Sequence, residues 1–141
     1  MELGISTSLH TSFDDAVART RLALADQGFG VLTEINVKDT LKAKLGHDLE
    51  DYVILGACNP SLAHRAIDVN RQIGLLLPCN VVVRTDLDHA DTVLVEAMNP
   101  AMLVEVSGEP SLVPISEEVT AKLQAAIDRL NRTDVAPAPT R

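Results

Sequence analysis

The sequence predicts an α+β fold: a mainly antiparallel sheet covered on one face by two long helices, with short helical insertions between the strands. Three observations carry that expectation. Only the segments beginning at Phe13 and at Ser116 sustain a single apolar stripe at helical spacing over several turns. Five other segments are short and rich in β-branched residues or alternate with period two. Two of these, around Val81 and Val95, are separated by a turn of hairpin length. Helices with one apolar stripe each must bury it, and a single sheet face accommodates both.

The elements follow in order. Residues 2 to 10 alternate loosely through Leu3, Ile5 and Leu9 and read as a first strand. Ser12 with Asp15 three residues on predicts a capping box. Phe13, Ala16, Val17, Thr20 and Leu24 then form one helical stripe, with Leu22 off it and Gly28 placed for a left-handed stop. Phe29 to Ile35 reads as a second strand. Asn36 starts a short amphipathic helix through Val37, Leu41 and Leu45, ended by Gly46.

Tyr52 to Ala57 reads as a third strand, followed by Asn59-Pro60, an N-cap and a first-turn proline that predict a helix to about Val69. Cys79 to Thr85 and Asp91 to Ala97 give strands four and five. Asn99-Pro100 repeats the cap signature and predicts a short helix to Gly108, although Val104 and Val106 also suit a strand. Ser116 is expected to cap the last helix. Glu117 and Glu118 complement its dipole, and Val119, Leu123, Ala126, Ile127 and Leu130 trace its buried stripe. The proline-bearing end lacks periodicity, so one domain is expected over 1–131 and a disordered tail over 132–141.

Composition narrows the partners. The 141 residues suit one domain that needs no disulfide or metal to fold. Aromatic residues make up 2% of the chain, only Phe13, Phe29 and Tyr52, so bases have almost nothing to stack on. A net charge of -8 argues against nucleic acid and against anionic membrane, both of which recruit clustered Lys and Arg. No run reaches the roughly 20 apolar residues of a membrane span. The first residues carry no basic and apolar leader pattern, so a cytoplasmic location is expected. In that compartment Cys58 and Cys79 are expected as free thiols.

Gly28-Phe-Gly-Val-Leu-Thr-Glu-Ile-Asn-Val-Lys, Leu55-Gly-Ala-Cys-Asn-Pro with Ala63-His-Arg-Ala, and Gly74-Leu-Leu-Leu-Pro-Cys-Asn-Val-Val-Val resemble the domain of unknown function 302 family over roughly residues 1 to 130. That resemblance implies a β-α-β4-α arrangement similar to the TBP-like fold, a homodimer, and a bacterial or archaeal source. It implies no established biochemical activity.

The candidate site gathers around the two Cys-Asn dipeptides. Cys58 precedes a helix cap, where oriented amides favour a thiolate, and burial as a small apolar residue is the competing reading. Cys79 opens strand four. Cys58, Asn59, His64, Cys79 and Asn80 are the expected ligand-binding residues, because these motifs fall at strand ends on a rigid scaffold. A metal held by both cysteines and His64 is disfavoured, since no C-x-x-C pair occurs. No cofactor is legible, and neither a Walker loop, G-x-G-x-x-G, G-x-S-x-G nor H-E-x-x-H is present. Glu34 and Glu96 each interrupt an apolar strand and are expected to face solvent, a polar floor being the alternative if they share a face.

These residues predict a cytoplasmic module that binds a small molecule near the Cys-Asn motifs, with a homodimer expected only from the family resemblance. A thiol-dependent redox enzyme or sensor, and a purely structural interaction domain, are the alternatives.

Overall fold

A computed structural model describes residues 2–134. Gly4–Leu9 (β1) leads into the helix Phe13–Asp26 (α1), and Gly30–Asn36 (β2) follows directly. The short helix Val37–Leu45 (α2) separates β2 from Tyr52–Cys58 (β3), and Pro60–Val69 (α3) then runs into a 3-10 turn over Arg71–Leu76. The hairpin Cys79–Thr85 (β4) and Val93–Met98 (β5) precedes Ala101–Ser107 (α4), a second 3-10 turn, and the long helix Val113–Thr133 (α5). With α2, α3 and α4 taken as insertions, the order is β-α-β4-α.

The strands form one sheet in the order β1-β5-β4-β3-β2, and every neighbouring pair is antiparallel. Because side chains alternate across a sheet, this register divides each strand between two faces. Leu9, Leu55, Val81, Val83 and Val95 lie on one face, where α1, α3 and α5 bury them completely. Ile54, Val82, Leu94, Glu96 and Met98 lie on the other, which no described helix of comparable length covers and where each is only half-buried.

Local signals set most boundaries. Ser12 Oγ accepts a hydrogen bond from Asp15 N, and Gly28 takes a φ of +81° just past α1. Ala16, Thr20 and Leu24 of the expected stripe are buried, and Phe13 and Val17 pack beside them. The expected capping box is only half formed, because the Asp15 carboxylate accepts from the Thr11 hydroxyl at 2.6 Å instead of turning back to Ser12. Asn36 and Asn59 cap α2 and α3, accepting from Asp39 N and Leu62 N. The segment holding Val104 and Val106 is helical and stops at Gly108, whose φ is +68°.

Helix α5 departs from its expected start. It begins at Val113, a turn before Ser116, which lies inside the helix, is buried, and donates its hydroxyl to Pro100 O at 2.9 Å. Pro114 explains the early start, because a proline in the first turn gives up no intrahelical hydrogen bond. Val119, Leu123, Ala126, Ile127 and Leu130 are all buried along one face, as the stripe requires. The helix continues to Thr133, and the next residue, Asp134, bonds His10 through both its backbone N–H and its ring. The rest of the expected tail, 135–141, lies outside the described residues. No described helix is long and apolar enough to cross a membrane.

Candidate functional site

The two Cys-Asn dipeptides come together at one end of the sheet. β3 and β4 pair so that Ala57 lies opposite Cys79 and Gly56 opposite Asn80, which sets Cys58 one residue past the partner of Cys79. Both cysteines are free, Cys79 buried and Cys58 half-buried. They line one apolar cavity with Phe29, Leu62, Leu103 and Val119, of only about 20 Å³. Such a space accommodates one water and no organic ligand. Burial, with Cys58 as a second and smaller cause, pushes the Cys79 thiol up to about 11, so it stays protonated at neutral pH.

Asn59 is committed to structure. Its amide oxygen caps α3 and its amide nitrogen donates to Gln27 O at 3.3 Å, tying the end of α1 to the start of α3. His64 points away from the thiols: its side chain is 77% exposed and lies 3.6 Å from Asp68 one turn on. Among the described residues no three His, Cys, Asp or Glu side chains gather to hold a metal.

Asn80 goes to the other side of the sheet. Alternation along β4 buries Cys79, Val81 and Val83 under the helices and turns Asn80, Val82 and Arg84 to the open face. There a groove of about 490 Å³ runs across the sheet, within the range of small-molecule sites. Val82, Met98 and Met102 line it together with Leu3, and Asn80, Tyr52, Arg84 and Glu96 supply its polar groups. A smaller apolar hollow of about 220 Å³ continues it past Met98 and Met102 towards Leu75 and Val106.

Arg84 and Glu96 set the electrostatics of this groove. Arg84 Nε donates to Glu96 Oε1 at 2.7 Å, across the diagonal of the β4–β5 hairpin, with side chains 28% and 36% exposed. That hydrogen bond, with the charges of Glu96, Tyr52 and Asp86, outweighs desolvation and raises the Arg84 pKa above its already high value. Glu34 and Glu96 do not share a face, so the alternative of a common polar floor does not arise. Glu34 pairs in register with the buried Leu55 and meets Arg21 of α1 at 2.8 Å on the helical face, whereas Glu96 faces the open side.

Sequence reasoning therefore missed Tyr52, Arg84, Met98 and Met102. One signal was available: Arg84 shares strand parity with Asn80 inside an otherwise β-branched run, and Glu96 interrupts the partner strand.

An antiparallel sheet with helices on one face and a groove on the other defines an α+β domain with one open sheet face. The chain belongs to the DUF302 family, described as a domain of unknown function, whose model matches residues 5–130. A similar solved structure is that of an uncharacterized conserved DUF302 protein from Bacillus stearothermophilus. It is 30% identical, aligns over 92% of this chain and 99% of that chain, and has a TM-score of 0.84. Among curated proteins none matches the chain.

Proposed function

We propose that the protein is a cytoplasmic, homodimeric binding module that takes a small molecule in the groove on its open sheet face. The observation that carries this reading is the groove of about 490 Å³, apolar along its walls and furnished with Asn80, Tyr52 and the Arg84–Glu96 pair. Of the five residues expected to bind ligand, Asn80 is the one that lines this groove. Cys58, Asn59 and Cys79 support the reading by packing the β3–β4 end that carries Asn80, and His64 has no part in it.

The same face supports the dimer. Strands spaced about 4.8 Å apart, each six or seven residues long at about 3.3 Å per residue, make a sheet face on the order of 500 Å². Two copies meeting there bury on the order of 1,000 Å², the lower bound for a specific interface, and enclose the groove between them. Arg84 beside Glu96 is self-complementary about a two-fold axis. Sedimentation equilibrium tests this. A dimer in the wild type and a monomer in Ile54→Lys, which places a charge on the open face, support the reading. A wild-type monomer at tens of micromolar overturns the dimer.

A thiol redox sensor is the second reading, favoured by the single cavity that both thiols share. The high pKa of Cys79 weighs against a thiolate there. Iodoacetamide labelling decides: slow modification of both cysteines in the native protein between pH 7 and 9 rejects the sensor.

A further inference from the structure

We infer that the groove is built for a neutral molecule with a flat apolar body and an amide-type edge, a carbonyl beside an N–H. The inference rests on the reading of the groove as a ligand site and adds the chemistry of the ligand. Arg84 spends its Nε on Glu96 Oε1 and keeps its terminal nitrogens, while Glu96 keeps Oε2. The pair thus presents a donor next to an acceptor, fixed in place by its own hydrogen bond. A carbonyl with an adjacent N–H matches that order, and charge-assisted hydrogen bonds are the stronger kind.

Charge selects further. Arg84 is already neutralised by Glu96, and Asp86 adds a second negative charge nearby. A carboxylate or phosphate entering here meets net repulsion and gains no free cation, so acidic ligands are disfavoured. The walls fit a ring: Met98 and Met102 are flexible and polarizable, and thioether sulfur packs well against aromatic edges. Asn80, exposed at the start of β4, offers a further donor and acceptor.

Three probes of similar size separate the cases: benzamide, methyl benzoate and benzoate, each titrated into the full-length protein and followed by backbone amide NMR shifts. Benzamide is expected to move Asn80, Val82 and Glu96 and to bind at least roughly tenfold more tightly than methyl benzoate, the worth of one good hydrogen bond. In Glu96→Gln the acceptor charge is gone and Arg84 is unmatched, so the order should reverse in favour of benzoate. Methyl benzoate or benzoate matching benzamide in the wild-type groove overturns the amide-edge inference and leaves the binding module standing. A groove that none of the three probes perturbs overturns the binding reading as well.

Discussion

The two cysteines show how one residue type takes different roles a single position apart in register. Cys79 is inside the sheet–helix core, 6% exposed, and there it behaves as a small apolar group. Cys79→Ser puts a hydroxyl into an apolar cavity and should cost about 1–3 kcal/mol in urea denaturation; half-buried Cys58→Ser should cost less. The raised pKa has a definite sign. The folded state holds the Cys79 proton more tightly than the unfolded chain, so its contribution is complete below about pH 8.5. It is lost as pH climbs to about 11. Across that window the wild type should lose on the order of 3 kcal/mol more stability than Cys79→Ala. Asp134 runs the opposite way. Burial pushes its carboxyl up, but hydrogen bonds from the His10 backbone and ring, with the charges of His10 and Arg19, prevail and lower it. Its contribution is present above about pH 4 and lost on acidification. Asp134→Ala should therefore cost about 1 kcal/mol at pH 7 and flatten the acid limb of the stability profile.

Among the elements, β3 and β2 depend on a missing side chain. A Cβ on Gly56 would stand 2.1 Å from Thr33 Oγ1 and 2.9 Å from Pro78 Cγ, so strand β2 with its bulge near Leu32 closes down on bare backbone. Gly56→Ala should destabilise by about 1–3 kcal/mol, as overpacking does. Thr33→Ala in the same chain should recover part of that loss, because the nearest clash is with the threonine hydroxyl; thermal denaturation of the three variants checks both. In α5, Leu123 is fully buried, and Leu123→Ala should cost about 2–5 kcal/mol. Helix α2 differs in kind. It is capped at both ends by Asn36 and Gly46, yet none of its residues is buried, so local signals alone account for its limits.

At the scale of the whole molecule, the described helices form one layer against one side of the sheet, and the groove exists because of that asymmetry. The periods, caps and glycine stops were legible in the sequence, since each depends on residues within a turn of one another. They placed α3 at Asn59-Pro60 and β4 at Cys79 to Thr85, and both stand there. The start of α5 was not legible, because Ser116 satisfies its hydroxyl on Pro100, which lies in a different element. The candidate site divided in the same way. The sequence by itself determined the α+β class, the two covering helices and the strand ends where Cys58 and Cys79 lie, all through short-range periodicity. Only the tertiary structure decided that Cys79 and Asn80, adjacent in the chain, serve opposite faces. The physical reason is register: a strand alternates its side chains, and which set faces the helices depends on pairing between residues far apart in the sequence.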